Sequence, residues 1–185
     1  DIGAPPNPVI DFEDLVLGTE YRVPDSFSSG GVPITVGPFQ WSDGTWAYDG
    51  VAKVVNSGLA GGSGNEMNLN NVKLEFNFWL PLSSLSLRFG EYGGNLNIRI
   101  NGDFRNFQNF DEINGLVIGG VTVAVVNGHG NDKGLLSLSG APIAQFAVGG
   151  QELFIDDTRM ERRADMAFEL SVPFAPPPPL QPIKW

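Results

Sequence analysis

The chain contains no cysteine and a single histidine, His129. Without thiols there is no disulfide framework, no thiolate nucleophile and no cysteine-ligated metal. With one imidazole, zinc sites built on several histidines are nearly excluded, as are Ser-His triads with a histidine to spare. Basic side chains are also scarce: 11 Lys and Arg stand against 21 Asp and Glu, a net charge of −10. A surface of that sign repels phosphate backbones and anionic lipid, so no nucleic acid is expected as a partner. No apolar run reaches the ~18 residues that a bilayer-spanning helix needs, so no transmembrane segment is expected. Helical periodicity is almost missing.

What is present points to sheet. The 185 residues fit one domain, and a 42% hydrophobic share is enough for a buried core. Alternation of period two recurs through the chain. Over residues 72–80 the even positions are all apolar, whereas Lys73, Glu75, Asn77 and Trp79 share the other face. Leu85, Leu87 and Phe89 alternate with Ser84, Ser86 and Arg88, and Leu96, Ile98 and Ile100 with Asn95, Asn97 and Arg99. Further strands read at 34–36, 51–55, 121–126, 135–139, 143–148, 152–155 and 167–172. Asn-Gly at 101–102, 114–115 and 127–128 and Asp-Gly at 43–44 and 49–50 mark turns, because both residues tolerate positive φ. Together these predict an all-β fold, an antiparallel β-sandwich of jelly-roll type over residues 9–172. Extended, proline-rich arms flank it at 1–8 and 173–185. A start at Asp1, with neither Met nor an apolar leader, reads as a mature exported chain, secreted or at a cell surface.

Acidic residues cluster near both ends of the sandwich. With Ile10 and Phe12 inward, Asp11 and Glu13 share the opposite face; with Leu153 and Ile155 inward, Asp156 points out and Asp157 ends the strand. Calcium takes six to eight oxygens, several from carboxylates, and acids of the first and last strands are suited to supply them. Phe12-Glu13-Asp14 with Gly18, and the closing Gly149 to Asp157 with its Ile155-Asp156-Asp157, resemble secreted bacterial jelly-roll domains of the galactose-binding-like superfamily, which includes many carbohydrate-binding modules. The resemblance implies a structural calcium held by Glu13, Asp156 and Asp157. Thr158 departs from the pattern, which often has valine there.

Aromatic residues form the second pattern. If Asp43-Gly44 is a two-residue turn, Trp41 opposes Trp46 and Phe39 opposes Tyr48, which puts four rings on one face of a hairpin. Such rings either stack on sugars or pack inward. Trp79 sits among polar companions and reads as an exposed contact residue, unless a bulge after Phe78 turns it. Tyr92 reads as an exposed aromatic on a tight connection, and residues 60–65 as a flexible loop without phosphate-loop character. His129 reads as a solvated turn residue. Two carboxylates suffice for glycoside hydrolysis, but nothing selects a pair among so many acids, so the domain is expected to be non-catalytic.

Two functions fit. The first is an extracellular glycan-binding module with a calcium ion, its ligand surface drawn from Trp41, Trp46, Tyr48, Trp79 and Tyr92. The second is a self-associating surface or filament subunit whose terminal arms reach a neighbour. For the latter the tail carries apolar anchors at Leu180, Ile183 and Trp185, with the Trp79 region or the 41–46 hairpin as receiver.

Overall fold

The computed structural model describes residues 7–127 and 132–163. The N-terminal arm through residue 6, His129, the strand expected at 167–172 and the tail with Leu180, Ile183 and Trp185 lie outside the described residues. In chain order the strands are β1 (Val9–Ile10), β2 (Glu20–Tyr21), β3 (Ser26–Ser29), β4 (Val32–Gln40), β5 (Trp46–Ala47), β6 (Val51–Val55), β7 (Glu66–Asn70) and β8 (Val72–Phe76). There follow β9 (Leu82–Glu91), β10 (Leu96–Ile100), β11 (Asp103–Phe107), β12 (Val117–Ile118), β13 (Val121–Asn127), β14 (Asp132–Ser139), β15 (Phe146–Gly150) and β16 (Leu153–Arg162). The one helical element among the described residues is a 3-10 turn, Phe110–Ile113.

Two sheets form. The first runs β12-β13-β14-β9-β16-β7-β6-β2 with β1 added against β16, and the second runs β11-β10-β15-β8-β4-β3 with β5 added against β4. Every pairing is antiparallel. The chain is therefore the expected antiparallel β-sandwich. Leu85, Leu87, Phe89, Val123, Leu136 and Ile155 of the first sheet meet Ile34, Val36, Leu74, Ile98, Ile100 and Val148 of the second in one buried cluster. These are alternate positions along each strand, so the pleat sends them all inward. Each such side chain contributes about 1.5–3 kcal/mol by leaving water.

The turns refine the reading. Asn101 and Gly102, at φ +49° and +83°, make a two-residue turn between Ile100 and Asp103. The Asn101 side chain then ties three segments together, donating to the carbonyls of Gly119 (3.1 Å) and Pro142 (2.8 Å) and accepting from the Ala144 N–H (2.8 Å). Asn114-Gly115 instead closes the 3-10 turn. The strand expected to reach residue 80 stops at Phe76: the Asn77 N–H still reaches the Pro33 carbonyl in register (3.0 Å), but Pro33 has no N–H to return. Ile143 makes only an isolated bridge with Leu82, and β15 begins at Phe146.

One irregularity positions the acidic residues. Strand β16 pairs with β7 through Leu153, Phe154 and Ile155, and with β1 through Thr158 and Arg159. Between these two neighbours the ladder with β9 shifts register, from Asp156↔Arg88 to Arg159↔Ser86. This is a β-bulge, which twists the strand and re-aims its side chains. The Asp156–Asp157 pair sits on it, at a break in the neighbouring edge.

Candidate functional site

Residues 56–65, joining β6 to β7, fold over the outer face of the first sheet at this break. Glu66 organises them. Its buried carboxylate accepts from the N–H groups of Leu59 (3.1 Å) and Ala60 (2.8 Å), and from both the N–H (3.2 Å) and the hydroxyl of Ser57. Tyr92 fastens the same loop, its hydroxyl donating to the Leu59 carbonyl at 3.0 Å and its ring standing edge-on to Phe154. Tyr92 is therefore a half-buried clasp and not the exposed aromatic expected. The stretch read as a flexible loop is pinned at both ends, by the bonds of Ala60 and Asn65.

The loop meets the N-terminal turn. Asp11 accepts from the Glu13 N–H at 3.2 Å, a local turn bond. Glu13 reaches across to accept from the Asn65 N–H at 2.6 Å, and the Asn65 side chain donates back to the carbonyls of Phe12 (3.2 Å) and Leu15 (3.0 Å). Two glycines admit the carboxylates: a Cβ on Gly62 would collide with Asp156 Oδ2, and one on Gly64 with Glu13 Oε1. Asp156 does point outward, as alternation requires, but the loop covers it and leaves it 1% exposed. Asp157, at φ +44°, is turned away to pair with Arg88 at 3.2 Å.

The electrostatics of this corner are unfavourable as it stands. Burial pushes the Asp156 carboxyl up to about 7; the Asp157 N–H (2.7 Å) opposes this, while the charges of Asp157, Glu66 and Glu13 add to the rise. Among the described residues no lysine or arginine pairs with Asp156. Nor do three acidic or imidazole side chains stand close enough to hold a metal by themselves. The carboxylates a cation could use here are Asp156 and Glu13, which meet the glycine loop at Gly62 and Gly64. Those are hard oxygen donors of the kind calcium accepts. Asp11 and Asp157 are otherwise engaged, and Glu66, absent from the sequence-derived set, supports the loop.

The second candidate lies on the outer face of the other sheet. The hairpin closed by Asp43-Gly44 does not pair as expected: Phe39 opposes Ala47, Gln40 opposes Trp46, and Trp41 bonds Thr45. The reason is a three-residue loop with Gly44 at φ +88°, and a shift of one residue exchanges the faces. The four rings are thereby split. Phe39 is buried with Trp41 edge-on at 5.1 Å, while Trp46 and Tyr48 go to the other side.

Trp46 lands on the sheet. Gln40 is fixed to the sheet's outer face by Asn97, in both directions (2.7 and 2.8 Å), and by Asn106 (2.7 Å). This lays the Trp46 ring on Phe104, centroids 5.5 Å apart, with Lys73 Nζ 5.0 Å from the indole. Beneath it Lys73 lies along Gly37 and Gly149, where any Cβ would press on its stem or backbone. Lys73 pairs with Glu75 at 3.4 Å, and Arg99 approaches the same carboxylate at 3.6 Å. Burial holds the Lys73 ammonium below the usual lysine range, with Glu75 opposing. Trp46 remains 41% exposed and Tyr48 64%. Trp79, at 82%, follows the end of β8 and shares no ring contact with the others. Phe104, Arg99 and Glu75 belong to this face but were not singled out in the sequence. The Arg99↔Phe104 register across the Asn101-Gly102 hairpin is the signal that marks two of them.

No family model, curated protein or solved structure matches the chain. Among the described residues no helix is long and apolar enough to cross a membrane.

Proposed function

We propose that the protein is a non-catalytic extracellular glycan-binding domain, of galactose-binding-like jelly-roll kinship, which binds its ligand on the Trp46 face and is stapled by calcium at Glu13 and Asp156. The observation that carries the reading is the state of Trp46: a large ring left 41% exposed yet packed on Phe104 and Lys73. An exposed, immobilised aromatic offers stacking area at low entropic cost. Arg99, Glu75 and Asn106 belong to the same sheet face and would supply the directional bonds a sugar needs. Tyr48 extends the exposed aromatic surface.

The non-catalytic assignment is supported by the carboxylate on this face. Glu75 is paired with two cations. It is not disposed as half of a free acid and base pair. An extracellular setting goes with this reading, since a calcium held by two carboxylates would be bound weakly, as suits the high calcium met by extracellular modules.

Self-association through the arms is less supported. The N–H groups of Val123 and Val125 on β13 are already taken by the Leu116 carbonyl and the Asn114 side chain, both at 2.9 Å, so that edge is closed to an added strand.

A glycan array, followed by calorimetric titration with Trp46→Ala, tests the reading. Specific binding lost in Trp46→Ala and retained in Trp79→Ala is the expected result. Binding that survives Trp46→Ala, or none to any glycan, overturns it.

A further inference from the structure

We propose that the saccharide bound on the Trp46 face is acidic, carrying a ring carboxylate that Arg99 receives; this rests on the glycan reading above. In a chain of net charge −10 the face is an exception. Two cations gather there, Lys73 and Arg99. They share the single carboxylate of Glu75. The group Lys73–Glu75–Arg99 therefore carries one positive charge in excess.

Lys73 cannot offer that charge to a ligand, because its side chain is 4% exposed beneath Trp46 and Phe104. Arg99 can. Its side chain is 34% exposed, and its 3.6 Å approach to Glu75 is longer than a hydrogen bond. Its guanidinium lies 5.6 Å from the Phe104 ring centre. No hydrogen bond from it to another described residue accompanies these contacts. A guanidinium fork backed by an aromatic ring is the arrangement that receives a planar carboxylate through two parallel bonds.

The geometry of a uronate matches. A pyranose stacked on an indole keeps its substituents at the rim, so a carboxylate on the ring projects sideways toward a cation beside the platform. The rest of the surface is acidic and repels a continuous polyanion. The fitting ligand is a glycan with isolated uronate residues in an otherwise neutral chain.

Calorimetric titration with oligosaccharides bearing one uronate, each paired with its carboxyl-reduced counterpart, tests this without altering the protein. The acid form is expected to bind roughly tenfold or more tightly than the reduced form, the range of a charge-assisted hydrogen bond. Arg99→Gln should erase that difference, so that acid and reduced forms bind it alike, and its melting curve shows whether it folds. Equal binding of acid and reduced forms by the unaltered protein overturns the carboxylate assignment and leaves the glycan reading standing, as does a preference that persists in a folded Arg99→Gln. Absence of binding to every saccharide of the set overturns both.

Discussion

The backbone N–H of Asn65 donates to the Glu13 carboxylate at 2.6 Å, joining the N-terminal turn to the loop that precedes β7. The bond works only because the loop brings no side chain where the carboxylate lies. Gly62 shows the same requirement without the complication of positive φ, since a Cβ there meets Asp156 Oδ2. Gly62→Ala should cost about 1–3 kcal/mol, the range for forced overpacking. Chemical denaturation measures this, and an unchanged midpoint would show that the loop yields without cost.

Calcium should raise the melting temperature. A ligand bound only by the folded state at a hundredfold excess over Kd adds about 3 kcal/mol, which for a domain of this size is roughly 6–12 °C. Glu13→Gln and Asp156→Asn should each lose most of that gain. Arg88→Gln, which frees only Asp157, should keep it. Scanning calorimetry in calcium and in EDTA decides the matter, and superimposable curves for the unaltered protein would remove the metal from this corner.

Glu91 gives stability a pH dependence of its own. It faces the interior beside the Phe110 N–H, which donates to it at 3.1 Å; burial pushes it up to about 7, with Asp111 and Glu112 adding to the rise. The folded protein thus keeps a proton that the unfolded chain loses near 4.5. Stability attributable to Glu91 is present at low pH, falls as pH rises through that window, and stays lost above about 7. The loss is about 1–3 kcal/mol. Glu91→Gln keeps an acceptor for Phe110 and removes the charge. Its advantage over the unaltered protein should grow between about pH 5 and pH 8 in EDTA-containing urea titrations. A constant difference across that range would contradict the buried charge.

Much of the sandwich is legible in the chain because period two needs only burial to express itself. Val72, Leu74 and Phe76, then Leu85, Leu87 and Phe89, then Leu96, Ile98 and Ile100 all face inward as their alternation requires. The acidic corner was half legible. Glu13 and Asp156 stand out in sequence, and the β1–β16 pairing brings their strands together. Glu66 was not, because the groups it binds belong to a loop whose path no local pattern specifies. A carboxylate directly after a glycine-rich stretch is the trace it leaves. The aromatic hairpin failed for a different reason. Asp-Gly suits a two-residue turn and a three-residue loop equally well, and the choice between them exchanges the faces of every residue. Alternation placed Lys73 on a wet face, correctly for the strand. The folding of a hairpin over that face, which buries it, is a tertiary event.

The pairing of Trp46 with Lys73 can be measured directly. Lys73→Met keeps the stem that fills the glycine trough and leaves Glu75 its second partner, Arg99, so no buried charge is orphaned. Removing a desolvated ammonium in this way should be neutral or slightly stabilising. Trp46→Ala strips a ring from Phe104 and uncovers Lys73, and should cost about 1–3 kcal/mol. If the cation holds the indole in place, the two changes are not additive, and a double-mutant cycle should return a coupling of about 0.5–2 kcal/mol. The same cycle with Trp79→Ala should return none within about 0.5 kcal/mol, since Trp79 is exposed and no cation among the described residues holds its ring. A Trp46–Lys73 coupling no larger than that of the Trp79 control would mean that Phe104 and the Gln40 bonds alone fix the platform. The rigidity argued for its ligand-binding face would then rest on them.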